Sequence, residues 1–362
     1  LVPTYRVDVQ RPCDVVEDIL RVYGYNNVEF TDAVRSNLSK QTATDFKDAM
    51  QELISEQLTA RGVHEIMNNS RTSGSYFADL ESNPEDHCIH LMNPLSSDLN
   101  VLRPTLLFGG LESAAHNINR TAQDLKLYEF GNTYAYDPQA DDSEKILAKY
   151  SEHASLGLWL TGRKTAQSWA VAAQDVTVFT LKGIVENIFI RMGIDSKELV
   201  ATQGVGDILA PGLTYANRGG KTIAVMGVVA AKQLKKVGIK EQTVYFAEIN
   251  WDALMKMAIK KSVTFVDLPK TMPVKRDLAL LLDTAVTFDD VKRVVEQSEK
   301  RLLKDVTLFD VYEGKHLEAG KKSYAISLTL QNNEKTMQDK QIDAVMAKII
   351  ANLEKQLGAK LR

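Results

Sequence analysis

Between Val274 and Arg362 the hydrophobic pattern passes from strand to helix and back twice, and that succession leaves few folds open. Residues 274–282 read as a strand. Thr287 then precedes a helical pattern, with Asp290 at the capping-box position, where hydroxyl and carboxylate each take a free backbone amide. Residues 304–312 and 322–331 are strand-like and are joined through a glycine-containing turn. A second helix, 338–357, carries Ile342, Val345, Met346, Ile349, Ile350 and Leu353 along one stripe. Gly358 stops it and leaves Ala359–Arg362 for a short last strand.

The order βαββαβ is that of a ferredoxin-like split βαβ sandwich. Both helices pack on one sheet face, and the other face stays open. Alternation assigns the faces. Tyr324, Ile326, Leu328 and Leu330 should meet the helices, which turns Ser323, Ala325, Ser327 and Thr329 outward. Phe309 and Val311 share one face, and Asp310 and Tyr312 the other, which we place on the open side. Lys321, Lys322 and Arg362 lie nearby. An aromatic ring stacks an unpaired base, small neighbours admit the base, and Asp, Ser and Arg can read its edges or hold phosphate. The same residues also suit a sheet surface without a ligand, and alternation does not separate the two readings.

The preceding sequence is longer and less regular. Residues 1–28 read as a strand with Tyr5, Val7 and Val9 alternating, then a helix opened by Asp14 and stopped by Gly24. Residues 29–41 read as a linker, 42–262 as one domain, 263–273 as a second linker with Pro269 and Pro273, and 274–362 as the last domain. The middle domain opens with an amphipathic helix, 42–61. Two further helices are expected over 104–120 and 177–192, the latter with Phe179, Ile184, Ile188 and Phe189 on its apolar face. Strand-like runs at 64–69, 88–92, 127–136, 155–161, 222–230 and 244–250 have hairpin-like spacing. We read a mainly antiparallel sheet flanked by helices, so the fold class is α+β.

Composition excludes several classes. With 44% hydrophobic and 25% charged residues, the chain is neither a disordered tail nor a collagen-like fibre. No apolar run reaches the ~18 residues of a membrane span. Two cysteines, Cys13 and Cys88, are too few for a disulfide scaffold and suit a reducing, cytoplasmic setting. A net charge of −3 gives no general signal for nucleic acid, but residues 268–362 hold 17 Lys/Arg against 14 Asp/Glu. The start, Leu1-Val2-Pro3-Thr4, has no initiator Met or signal peptide, as expected of a piece of a longer protein.

Other motifs are incomplete. Gly220-Lys221-Thr222 lacks the first glycine of a P-loop and reads as a hairpin turn. His87-Cys88-Ile89-His90 has no second ligand pair at zinc spacing. Asp8, Asp14, Glu17 and Asp18 could gather as oxygen ligands for Mg²⁺, or Asp14 could cap the helix with solvated acids beside it.

The stretches Val274-Lys275-Arg276-Asp277-Leu278-Ala279, Leu308-Phe309-Asp310-Val311-Tyr312-Glu313-Gly314, Gly320-Lys321-Lys322-Ser323-Tyr324-Ala325 and Gly358-Ala359-Lys360-Leu361-Arg362 resemble the ferredoxin-fold anticodon-binding domain. That domain closes the β subunits of bacterial phenylalanyl-tRNA synthetases. Residues 1–28 resemble the end of a winged-helix-like domain of the same family. Residues 42–262, with Asn93-Pro94-Leu95, Leu102-Arg103-Pro104-Thr105-Leu106-Leu107, Leu127-Tyr128-Glu129-Phe130-Gly131 and Leu181-Lys182-Gly183, resemble its catalytic-like domain. The editing domain of the family precedes the part that matches.

The resemblance implies a class II synthetase-like antiparallel sheet that supports assembly without contributing a catalytic residue. It implies a heterotetramer of two α and two β subunits. The α subunit would bind ATP, activate phenylalanine and charge phenylalanine tRNA, and this chain alone would be inactive. It implies Tyr312 as the stacking partner of the first anticodon base, with Asp310, Ser323 and Arg362 around it. It also implies a structural Mg²⁺ at Asp8, Asp14, Glu17 and Asp18, the last standing where Glu is usual. A class II site needs two arginines, one in a Gly-rich strand–helix signature. No G-x-G-x-G-x-x-R occurs, so Arg103 is expected to be structural. Two other readings stay open. One is a metabolic enzyme with a class II-like body and a small-ligand-sensing domain, which needs a complete pocket in 42–262. The other is a free-standing RNA-binding protein.

Overall fold

A computed structural model of the chain describes residues 1–30, 32–33, 42–141, 143, 145, 147–195, 198–259, 264–314 and 317–362. Most of the expected 29–41 linker and the start of the 263–273 linker lie outside the described residues. The chain divides into two compact units, Leu1–Val263 and Thr264–Arg362.

The first unit contains, in order, α1 (Pro12–Tyr23), α2 (Ala43–Thr59), β1 (His64–Glu65), β2 (Arg71–Thr72), β3 (Ile89–His90), β4 (Val101–Leu102), α3 (Leu107–Ile118), β5 (Leu125–Tyr136), β6 (Tyr150–Thr161), β7 (Arg163–Thr165) and β8 (Gln174–Asp175). It continues with α4 (Val178–Arg191), β9 (Leu199–Gly204), β10 (Leu209–Asn217), β11 (Thr222–Val229), α5 (Ala231–Lys236), β12 (Val244–Asn250) and α6 (Trp251–Ala258). Seven strands form one sheet in the order β1-β5-β6-β12-β11-β10-β9, antiparallel except where β1 meets β5.

Both sheet faces are buried. Leu156, Leu158 and Leu160 point toward α2, α4 and α6, and Trp159 points toward α3 with Phe246. Burial on two sides explains why β6 reads as a continuous apolar run rather than an alternation. The strand expected around Tyr5, Val7 and Val9 does not form. Residues 3–9 make turns, with the Arg6 amide on the Pro3 carbonyl and the Val9 amide on the Arg6 carbonyl. Alternation alone makes no strand; the backbone groups need a neighbouring strand to bond to.

Two acids sit deep in this unit. Glu129 of β5 accepts from Arg103 Nη1 at 2.7 Å and from Asn68 Nδ2 at 2.7 Å, and the pair is nearly inaccessible, with side chains 5% and 1% exposed. Arg103 Nε also donates to the Asn132 carbonyl at 3.0 Å. Gly131 makes room for it, since a Cβ there would lie 2.2 Å from Arg103 Nη2. Arg103 is thus held inside the unit by Glu129 and the Asn132 carbonyl.

Glu248 of β12 keeps part of its surface open, but its carboxylate is enclosed and accepts from Thr105 Oγ1 at 2.5 Å and the Leu106 amide at 3.3 Å. Burial pushes that carboxyl above the ordinary glutamate range, against the pull of those hydrogen bonds and the Arg103 charge. A raised folded-state value means that the native chain holds a proton the unfolded chain has released. Stability should fall as pH rises from the ordinary glutamate value through the raised one. In thermal melts across that range Glu248→Gln should show a shallower decline, and a parallel curve would refute the assignment.

The second unit contains β13 (Val274–Asp283), α7 (Phe288–Ser298), β14 (Leu303–Tyr312), β15 (Lys321–Leu330), α8 (Asp339–Leu357) and β16 (Lys360–Leu361). The sheet order is β14-β15-β13-β16, with every pair antiparallel, which is the split βαβ arrangement expected from the sequence. Thr287 and Asp290 form the capping box of α7. Leu280, Leu282, Ile326, Leu328 and Leu330 pack against Val291, Val295, Ile342, Ile349 and Leu353 of the helices. Among the described residues no helix of this unit packs on the opposite face.

Candidate nucleic-acid interface

The phase of β14 decides what the open face offers. Val306 is buried and Leu308 pairs with Ile326, so both belong to the helix side. Strict alternation from there would turn Asp310 and Tyr312 inward. A register shift between Leu308 and Asp310 inserts Phe309 as an extra residue. The bulge reverses the phase. Asp310 then pairs with Ala325, Tyr312 with Ser323, and Val311 with the buried Tyr324. Asp310 and Tyr312 thus reach the open face as expected, but through a bulge. The sequence signal for it is the three-residue step from Leu308 to Val311, which repeats the step from Leu303 to Val306 at the strand's other register shift.

Tyr312 and Arg362 start from opposite sheet edges. Three strand spacings, about 14 Å of sheet, separate their backbones. The Arg362 amide bonds to the Ala279 carbonyl at 3.0 Å, and its guanidinium carbon reaches to 6.0 Å from the Tyr312 ring centre. The two long side chains lean over a floor that includes Ser323 and Ala325. Ser323 is covered, at 7% exposure, whereas Asp310 is exposed and Tyr312 is 36% exposed. Lys322 does not contribute to this face. Its ammonium donates to the Thr284 carbonyl at 2.9 Å and sits 4.7 Å from the Tyr324 ring centre. Lys321 pairs with Asp283 at 3.7 Å.

Gly314 is a residue that sequence reasoning passed over. A Cβ built there would lie 2.7 Å from the Tyr312 hydroxyl oxygen and 2.8 Å from its ring carbon. Such contacts are too short for the ring to keep its place. Gly314→Ala should displace the Tyr312 ring and weaken any stacking on it, while melting close to the parent temperature. Retained binding of a stacked ligand would show that the ring has another acceptable position.

The four N-terminal acids do not gather. Arg6 lies between two of them, at 3.0 Å from Asp8 and 2.9 Å from Asp18. Those two carboxylates hold the Arg6 guanidinium firmly charged. Asp14 accepts from the Arg11 and Gln10 amides at 2.8 and 3.0 Å, which holds it below the usual carboxylate range. It serves as the third residue of α1, behind a proline first turn, and does not open the helix. Glu17 pairs with Arg21 at 2.8 Å. No group of three His, Cys, Asp or Glu residues among those described is placed to hold a metal. In this arrangement Arg6, Arg11 and Arg21 pair with carboxylate oxygens that a Mg²⁺ ion would need. Elsewhere Cys88 is buried, which pushes its thiol up to about 11 and leaves it protonated.

A split βαβ unit with an aromatic ring and an arginine on its open face, following a mainly antiparallel sheet covered by helices, is an arrangement able to hold an unpaired base. The comparisons specify it further. Residues 36–251 match the family described as phenylalanyl tRNA synthetase beta chain CLM domain. Residues 269–362 match the ferredoxin-fold anticodon binding domain, and 1–25 the tRNA synthetase B5 domain. The phenylalanine–tRNA ligase beta subunit of Bacteroides fragilis is 51% identical over 361 residues, covering 100% of this chain and 44% of that protein. Those of Porphyromonas gingivalis and Lactobacillus acidophilus are 46% and 31% identical, each again covering 100% of this chain and 44% of the relative. The chain belongs to the phenylalanyl tRNA synthetase beta chain family. It spans less than half the length of these curated relatives, 44%. Among solved structures, a pyrrolysyl-tRNA synthetase from Desulfitobacterium hafniense aligns over 71% of this chain and 82% of that one. Its 13% identity and TM-score of 0.45 are too low to bear on the fold.

Proposed function

We propose that this chain acts within phenylalanine–tRNA ligase as a non-catalytic portion of the β subunit. It scaffolds an α subunit, in an assembly of two α and two β, and presents the open face of its second unit to the anticodon of phenylalanine tRNA. The convergence of Tyr312 and Arg362 over small residues is the observation that carries this reading. The ring offers a stacking surface, the guanidinium a phosphate or base-edge contact, and the exposed Asp310 an acceptor. ATP and phenylalanine belong to the α subunit. Arg103 is engaged by Glu129, which leaves its guanidinium turned away from any nucleotide role. The cytoplasm, where charged tRNA is used, is the expected setting. Among the described residues no helix is long and apolar enough to cross a membrane.

The direct test is a titration with phenylalanine tRNA and with the same tRNA whose first anticodon base is replaced, at two salt concentrations. A preference for the cognate anticodon that survives higher salt supports the open-face reading. Equal binding that fades with salt would reduce the contact to phosphates. Binding of ATP or an amino acid by this chain would instead favour the metabolic-enzyme reading.

A further inference from the structure

A second anion-receiving feature lies within the first unit, on elements far along the chain from the open sheet face. A cavity of about 310 Å³ is lined by Arg61 after α2, Lys126 of β5, Lys164 of β7, and Phe179 and Gly183 of α4. No ion pair among the described residues involves Arg61, Lys126 or Lys164. Asp124, whose carboxylate feels the charge of Lys126, is already held by Arg163 at 2.8 Å. Lys182 on the same helix pairs with Glu186 at 3.6 Å. The Lys126 ammonium donates to the Lys164 carbonyl at 3.4 Å, and among the described residues none of the three cations bordering this concave space has an ion pair.

Two further residues have no explanation inside the chain. Phe179 was expected on the buried stripe of α4, yet it is 76% exposed and borders this cavity. Gly183 stands inside the helix, where glycine is less favourable than alanine. Its φ is not in the left-handed region, and a Cβ there would meet nothing within 4 Å. Neither backbone conformation nor internal packing calls for glycine. A methyl group would project into open space beside the cations, so the residue keeps that space clear for something outside the chain.

We infer that this cavity receives a phosphodiester of a bound RNA strand, with the adjoining base against the Phe179 ring. Unpaired cations supply the counter-charge, the exposed ring supplies a stacking surface, and Gly183 lets a bulky phosphate approach the helix. An acidic peptide would use the cations but leaves the ring without a role. The choice of RNA as the source of the phosphate rests on the functional reading above.

The test uses this chain and phenylalanine tRNA, in cognate and anticodon-replaced forms, titrated over a range of salt. The Lys126→Gln/Lys164→Gln variant should lose about tenfold in affinity at low salt, and its log K against log salt should flatten by about one to two. Gly183→Met should fill the space, weaken RNA binding and melt at or above the parent temperature. Both variants should keep the parent's discrimination between anticodons, which separates this cavity from the Tyr312 face. A parent chain that shows no discrimination overturns the anticodon reading and leaves the salt slope to decide on the cavity. Unchanged affinity and slope in both variants overturn the inference. So does a poly-glutamate peptide whose binding the variants abolish while RNA binding stays intact.

Discussion

Arg103→Ala should destabilise the first unit by about 3–5 kcal/mol, because it leaves Glu129 buried without its counter-charge. The carboxylate is 1% exposed and would keep only the Asn68 contacts, at 2.7 and 3.2 Å. The Asn132 carbonyl would lose its donor as well. A unit of this size shifts its midpoint by roughly 2–4 °C per kcal/mol, so melting should begin about 6–20 °C lower. Replacing the pair together, Arg103→Met with Glu129→Leu, should recover most of the loss, since an apolar pair of similar volume removes both desolvation penalties. At temperatures where Arg103→Ala is still folded, its affinity for tRNA should match the parent. A small thermal effect would mean that water reaches the pair. A selective loss of ligand binding without destabilisation would return Arg103 to a functional role.

The second unit was the more legible half of the sequence. Its apolar positions recur with clean periods, and the capping box at Thr287 and Asp290 and the stop at Gly358 stand where the structure puts them. The first unit was harder to read because its sheet is covered on both faces, which removes the alternation that marks a strand. Two strands of the large sheet, β9 and β10, escaped for different reasons. β9 is an exposed edge strand whose larger apolar residues, Leu199 and Val200, are adjacent rather than alternating, and β10 contains Pro211 and a register shift between Leu209 and Gly212. The amphipathic helix α1 was visible in the sequence, but the strand before it was not to be had, since pairing depends on a partner that local pattern cannot supply. At the candidate interface, residue identity was legible and geometry only partly so. Asp310 and Tyr312 were placed on the correct face. The bulge at Phe309, the covering of Ser323 and the clearance at Gly314 are properties of three-dimensional packing. The acids Asp8, Asp14, Glu17 and Asp18 show the same limit from the other side. Helical spacing brings carboxylates near one another, but it does not say that Arg6, Arg11 and Arg21 will take them.

Tyr312→Ala should weaken binding of phenylalanine tRNA by about 1–3 kcal/mol, the usual worth of one stacked base, or roughly five- to 150-fold. The side chain is partly exposed and sits at the end of an edge strand, so the loss should come without a large change in melting. Tyr312→Phe keeps the ring and should keep most of the affinity, which distinguishes stacking from a hydroxyl contact. Salt dependence should not change in either variant, because neither removes a phosphate partner. Arg362→Ala should behave differently if its guanidinium holds a phosphate, lowering the salt slope by about one. The clearance at Gly314 supplies a further constraint. If that glycine acts only by letting the Tyr312 ring stand, then Gly314→Ala should add nothing once the ring is gone, and the double variant should bind like Tyr312→Ala alone. Additive losses would give Gly314 its own contact with RNA, and full affinity in Tyr312→Ala would remove the ring from the interface and with it the reason for the bulge.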